Sequence, residues 1–258
     1  MFINDFDPVA LNIFSLEIRW YSLAYIFGIL IGWIYCKKIL IKDNEISKLF
    51  DDLIAYLVIG IIIGGRLGYV IFYNFSYYYQ NLIDIFKIWQ GGMSFHGGLI
   101  GVIIATIIFA KKNNKNNFVF LDLISTAAPI GIFLGRISNF INSELYGRET
   151  NVFWSVIFPK IDNVTRHPSQ IYEAVLEGII LFLIMLYFVN KDYLKKSGLI
   201  SGLFLIYYSA FRFFTEFFRV PDEQIGFVYM NFTMGQMISF FFFVFGIYLF
   251  FIKKNEYK

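Results

Sequence analysis

Seven stretches of this chain are apolar almost throughout: 18–36, 49–73, 93–110, 118–140, 169–189, 198–217 and 235–252. About twenty such residues, rising 1.5 Å each along a helix, span the hydrocarbon of a bilayer. Barrel strands would alternate apolar and polar positions, whereas these segments are apolar on every face, which in lipid leaves only the α-helix. The pattern predicts an all-α polytopic membrane protein, a single transmembrane domain over 1–258 with about seven transmembrane helices. Two connections are too long to be turns. Residues 74–92 carry Tyr78, Leu82, Ile85, Phe86 and Trp89 at helical spacing, with Gln80, Asn81, Asp84 and Lys87 between them. This predicts an amphipathic helix, an arm lying in the membrane interface. Residues 141–168 predict a small head outside the bilayer.

Charge orients the spans. Lys37, Lys38, Lys42 and Lys48 follow the first span, Lys111, Lys112 and Lys115 the third, and Lys191, Lys195 and Lys196 the fifth, while Lys253, Lys254 and Lys258 follow the last. Lysines on every second connection mark the cytoplasmic side, placing the N-terminus outside, the C-terminus inside and the head extracytoplasmic. A composition of 58% hydrophobic and 16% charged residues agrees with a membrane protein, and a net charge of only +3 gives no footprint for nucleic acid. Residues 1–17 contain no Lys or Arg, so they do not read as a cleavable signal. Cys36 is the single cysteine, which excludes an internal disulfide framework. Glycines four apart, Gly28 and Gly32, then Gly60, Gly64 and Gly68, predict close helix contacts.

With the orientation set, the polar side chains gather in one slab near the outer leaflet. Tyr21, His96, Arg136 and Asn139 lie at outer helix ends, Tyr208, Arg212 and Glu216 in the outer half of the sixth span, and Arg66 about 10 Å in from the end of the second. The inner halves are nearly all apolar. A transporter or flippase would need polar groups along its whole path, and a structural scaffold leaves the slab unexplained. The slab suits an enzyme acting on lipid. Arg136, Asn139 and Asn142 are three apart and share a helix face, and Tyr208, Arg212 and Glu216 form a second stripe at four. Planar guanidinium donors match phosphate oxygens. Three embedded arginines against one nearby glutamate predict excess positive charge that a lipid phosphate would neutralise. Arg212 and Glu216 also read as a structural ion pair, Arg66 as a residue snorkelling outward, and Tyr21 after Trp20 as part of an aromatic belt. His96, in MSFHGGLIG, is either a hydrogen-bonded structural residue or, with an imidazole pKa of about 6.5, the natural proton acceptor; the glycines behind it admit a ligand or a neighbouring helix. His167, before Pro168, reads as a head organiser. The two histidines are far apart, which argues against a metal site. No serine or cysteine is placed as a nucleophile; if the protein is a transferase, the attacking group arrives with the acceptor substrate.

Several stretches together resemble the prolipoprotein diacylglyceryl transferase family: RWY at 19–21, GGRLGYVIFYNF at 64–75, GGMSFHGGLIG at 91–101, GRISNFINSELYGR at 135–148, RHPSQIYE at 166–173 and SGLFLIYYSAFRFFTEFFRVPD at 201–222. The resemblance implies transfer of the diacylglyceryl group of phosphatidylglycerol to the lipobox cysteine thiol of a preprolipoprotein, releasing glycerol 1-phosphate. It implies a location in the bacterial cytoplasmic (inner) membrane, phosphatidylglycerol, a preprolipoprotein signal peptide and membrane lipids as partners, and no cofactor. It carries functional positions onto Tyr21, His96, Arg136, Asn139, Glu144, Gly147, Tyr208, Arg212 and Glu216. On this expectation Arg136 and Arg212 bind phosphate, helped by Asn139, Tyr208 and Arg66; His96 is the base, Tyr21 positions substrate, Glu144 and Glu216 orient the arginines, and Gly147 allows tight packing. Ser138 and Ser143 stand where glycine is common in the family.

Overall fold

The computed structural model describes residues 2–14, 16–221, 226–229 and 231–257; Asp222 of the last motif and Lys258 of the tail lie outside them. In chain order the elements are β1 (Phe2–Ile3), β2 (Val9–Ile13), β3 (Leu16–Arg19), α1 (Trp20–Tyr35), α2 (Asn44–Phe72), α3 (Phe75–Gln80), α4 (Phe95–Lys112), α5 (Asn117–Ile141), β4 (Val156–Ile157), β5 (Thr165–Arg166), α6 (Ser169–Glu173), α7 (Leu181–Asn190), α8 (Leu199–Thr215), β6 (Phe227–Tyr229), β7 (Phe232–Thr233) and α9 (Met234–Asn255). A π-helical turn, Cys36–Leu40, extends α1, and another, Ala174–Ile180, joins α6 to α7. Each predicted apolar stretch is helical. Among the described residues five helical stretches are long and apolar enough to cross a membrane: Trp20–Leu40, Asn44–Phe72, Asn117–Ile141, Ser169–Asn190 and Met234–Asn255; α8 is a shorter apolar helix. The chain is thus a mostly helical, polytopic membrane protein.

It is not all-α. The segments outside the helices form short strands: β1, β4 and β5 make a three-stranded sheet and β2 pairs antiparallel with β3. Outside hydrocarbon, backbone amides need not be satisfied within one helix, so short extended segments pair instead.

The contacts divide into two compact units, one of Met1–Cys36 with Asp122–Lys258 and one of Lys37–Leu121. In the second unit α2 and α4 lie together with no room between them. A Cβ on Gly60 would stand 2.6 Å from the Gly101 carbonyl oxygen, and one on Gly68 2.7 Å from the Gly97 Cα. The glycine stripe therefore marks packing, and Gly97, directly after His96, is filled by a helix backbone. Asp43 caps α2 through Glu45 and Ile46, and the Ser94 hydroxyl caps α4 through the Gly97 amide.

In the first unit α1 meets α5 at Gly28, where a Cβ would touch the Gly131 Cα at 3.1 Å. The core joins α7 and α8 through Leu181, Met185, Ile200, Leu203, Phe204 and Tyr208. At one end of α8 the buried Asp122 of α5 accepts hydrogen bonds from the amides of Gly198 (2.6 Å) and Ser201 (2.8 Å) and from the Ser201 hydroxyl (2.6 Å). One carboxylate thereby caps another helix, satisfying amides that its first turn leaves open.

Candidate active site

The second unit places Arg66 and His96. Arg66 is 3% exposed, so it does not snorkel. All five of its N–H groups meet backbone carbonyls: Nε donates to Ile85 (2.8 Å), Nη2 to Asp84 (2.6 Å) and Lys87 (3.3 Å), and Nη1 to Gly91 and Gly92. This bears on two expectations. A guanidinium with every donor committed has none free for a phosphate, so the contacts of Arg66 do not support it as a headgroup ligand. The arm is also not one amphipathic helix. After α3 it breaks into two 3₁₀ turns, Leu82–Phe86 and Ile88–Gln90, because carbonyls that an α-helix would use in its own ladder turn towards Arg66. The chain leaves this cradle directly into Ser94, whose amide donates to the Gly65 carbonyl (2.8 Å), and then into His96 in the first turn of α4. Outside the spans, Asp84 has its carboxyl pKa held below the usual value by Lys87 and by the Tyr77 hydroxyl.

The first unit brings together Arg136 on α5, Arg212 on α8 and two glutamates that the motif reading did not single out, Glu173 at the end of α6 and Glu177 in the π turn. Glu173 bridges the arginines: Oε2 lies 3.0 Å from Arg136 Nη1, and Oε1 accepts from Arg212 Nη1. Glu177 Oε2 takes Arg136 Nη2 at 3.0 Å, and its Oε1 lies 3.8 Å from Arg212 Nη1. Arg212 Nη2 reaches Glu216 at 2.6 Å, and Arg219 Nη1 lies 3.6 Å from the same oxygen. The other Glu216 oxygen accepts from the Thr233 hydroxyl (2.9 Å). Tyr208 is buried within electrostatic range of Glu177, Arg136 and Arg212. Among the described residues three arginines face three glutamates, so the expected excess of positive charge is not found there, and Glu173 and Glu177 are the reason. A pair of glutamates four apart in an apolar span was the available signal, since buried carboxylates persist only when paired.

The π turn helps to set this geometry. It follows Glu173 and contains Glu177, and a Cβ on Gly178 would stand 2.7 Å from the Phe133 Cβ. The glycine lets α5 approach one turn before Arg136. Such wide turns recur at functional sites.

The stretch after Arg136 ties the elements together. Asn139 donates to Glu144 Oε2 at 2.9 Å and Asn142 to Glu144 Oε1 at 3.3 Å, so Glu144 holds two asparagines rather than orienting an arginine. Gln170 and Ser169 of α6 donate to the carbonyls of Glu144 and Leu145. The Gly147 amide donates to the His167 carbonyl (3.1 Å), Arg148 to Phe218 (2.8 Å) and Val220 to Tyr146 (3.1 Å). A side chain at Gly147 would enter His167, its Cβ 2.7 Å from that of His167. The loop thus laces α5, α6 and the segment after α8 to one another. His167 sits against Tyr172 (Nδ1···Oη 3.0 Å), and burial lowers its imidazole pKa from the ordinary 6.5. Tyr21, at the start of α1, stacks edge-on with Tyr25 and lies within electrostatic range of Glu144 and Arg136. Among the described residues no three His, Cys, Asp or Glu are grouped to hold a metal ion.

The family model for prolipoprotein diacylglyceryl transferase matches residues 8–252. The chain belongs to that family. It is 50% identical to a phosphatidylglycerol–prolipoprotein diacylglyceryl transferase of Rickettsia bellii over 99% of this chain and 98% of the relative. It is 51% identical to the Rickettsia felis enzyme of the same name, over 96% and 97%, and 47% identical to that of Methylocella silvestris, over 90% and 88%. The chain is therefore an enzyme with prolipoprotein diacylglyceryl transferase activity, acting in lipoprotein maturation.

Proposed function

We propose that this transferase moves the sn-1,2-diacylglyceryl group of phosphatidylglycerol to the lipobox cysteine thiol of preprolipoproteins, at the outer leaflet of the bacterial cytoplasmic membrane. In this reading seven helices cross the bilayer with the N-terminus outside and the C-terminus inside, 74–92 is an interfacial arm and 141–168 an extracytoplasmic head. The lysines on alternate connections support that orientation. The relatives' names supply phosphatidylglycerol and prolipoprotein as substrates.

The observation that carries the chemistry is the pair Arg136 and Arg212, drawn together by one carboxylate. In the reaction the acceptor thiolate attacks the sn-3 carbon of the diacylglycerol. The carbon–oxygen bond to phosphate breaks, its electron pair stays on the phosphate oxygen, and a thioether and glycerol 1-phosphate result. Arg136 and Arg212 hold the negative charge that collects on phosphate, which is electrostatic stabilisation of the leaving group. The thiol proton passes to His96, because the thiolate is the nucleophile. Tyr21 and Tyr208 position the lipid, and Asn139, Glu144, Gly147 and Glu216 keep the site in shape.

The test incubates purified protein with phosphatidylglycerol vesicles and a lipobox peptide and follows the peptide mass. A diacylglyceryl adduct is expected; lipid movement without an adduct would favour a transporter. His96→Gln is expected to abolish the adduct, and full activity in that variant would remove the base assignment. Unchanged turnover in Arg136→Lys would refute paired-donor phosphate recognition.

A further inference from the structure

The mechanism above uses the two arginines and leaves unexplained the two carboxylates behind them. Glu173 and Glu177 have fully buried side chains, whereas those of Arg136 and Arg212 are 14% and 11% exposed. The carboxylates therefore hold the guanidinium groups from the protein interior, while the arginine side chains keep a little exposed surface. Two buried guanidinium groups this close repel each other. Glu173 answers with one oxygen on each, and Glu177 adds a second hold on Arg136. A phosphate that engages both arginines needs their spacing fixed before it arrives, and a bridging carboxylate sets that spacing.

We infer that Glu173, assisted by Glu177, is a positioning residue for the phosphate of the lipid headgroup. It fixes the separation of Arg136 and Arg212, and it sets the charge of the cluster at balance before substrate binds. This rests on the reading of Arg136 and Arg212 as phosphate ligands. The charge argument has a consequence that a merely structural role would lack. Among the described residues Arg136, Arg212 and Arg219 face Glu173, Glu177 and Glu216, so a bound phosphodiester leaves these groups one negative charge in excess. Removing the charge of Glu173 relieves that excess and favours lipid binding. It also frees the guanidinium groups to move, which costs turnover, because groups held in place act in the transition state without reorganising.

The experiment is steady-state lipidation of the peptide by the full-length enzyme, varying phosphatidylglycerol, for wild type, Glu173→Gln, Glu173→Asp and Glu177→Gln. For Glu173→Gln the KM for lipid is expected to fall roughly threefold to tenfold while kcat falls roughly tenfold to a hundredfold. Glu173→Asp keeps the charge but is one methylene short of bridging both arginines, so kcat should fall with no decrease in KM. Glu177→Gln leaves the bridge intact and should show the KM decrease with a smaller loss of kcat. Loss of folded protein alone would lower the total rate at unchanged KM and unchanged kcat per folded molecule, and that outcome overturns the inference. So does wild-type kcat in Glu173→Asp, which decides the matter even if Glu173→Gln fails to fold. The two readings fail differently. Absence of adduct in the wild type refutes the proposed function, whereas wild-type adduct formation with wild-type constants in the Glu173 variants refutes this inference alone.

Discussion

Replacing Arg66 by lysine keeps the charge and removes the fork. Five N–H groups of Arg66 reach the carbonyls of Asp84, Ile85, Lys87, Gly91 and Gly92, whereas an ammonium offers three donors from a single point. At least two charge-assisted hydrogen bonds are lost. At ~1.5 kcal/mol each, the lower end for bonds to a charged group because Asp84, Ile85, Lys87 and Gly92 are half-exposed and Gly91 is exposed, the cradle loses about 3 kcal/mol. That is roughly a hundredfold in its opening equilibrium, and the opening is local because all the Arg66 bonds fall within 84–92. Hydrogen exchange followed by mass spectrometry in detergent reads it directly. The amides of Asp84, Lys87 and Gly91, which donate within the 3₁₀ turns, should exchange faster in Arg66→Lys while the interior of α2 stays protected. Transferase activity should fall as well, because the cradle feeds into Ser94 and the first turn of α4, where His96 sits. Unchanged exchange across 84–92 would show that the carbonyl cradle does not hold the arm and would refute the reasoning.

Ser143 has φ +60° and a buried hydroxyl with no hydrogen-bond partner among the described residues; Ser143→Gly removes a left-handed penalty of ~1–2 kcal/mol against glycine's entropic cost of ~0.5–1, and the melting temperature should rise with activity kept. Asp122→Asn replaces an acceptor of three hydrogen bonds by a side chain with one acceptor oxygen and an N–H₂ aimed at donors; about 2–4 kcal/mol of stability should be lost, seen as a lower melting temperature with little change in KM. The His167 imidazole favours its neutral form in the fold, so its contribution to the head is complete above pH 6.5, the ordinary value, and is lost as pH falls below it. Proteolysis of 141–168 should therefore accelerate on acidification through that range in the wild type, and the dependence should weaken in His167→Gln.

The helices were legible because apolar length is a strong signal in lipid, and the glycine stripe on α2 was legible because a missing Cβ implies a close neighbour. Arg212 and Glu216 could be paired from their spacing alone. What the sequence concealed is mostly contact over distance. Glu173 and Glu177 meet Arg136 across some forty positions of chain, and their local motif reads as the start of a span. The rule that would have found them, that a carboxylate in an apolar helix needs a partner, would also have found Asp122. The arm misled for a different reason. Its apolar residues do recur at helical spacing, but periodicity records side chains, and the break comes from backbone carbonyls drawn to a guanidinium in another helix. The strands were missed because segments of two to five residues carry too little pattern to separate from loop.

Asp122 gives one more consequence. It fixes α5 to the beginning of α8, and Glu173 ties Arg136 of α5 to Arg212 near the end of α8. The two helices are pinned at both ends, like rails joined by two ties. The count of residues between Ser201 and Arg212 is then itself a functional quantity. One residue inserted between them would turn Arg212 by about 100° and advance it by ~1.5 Å, although every side chain named at the site would still be present.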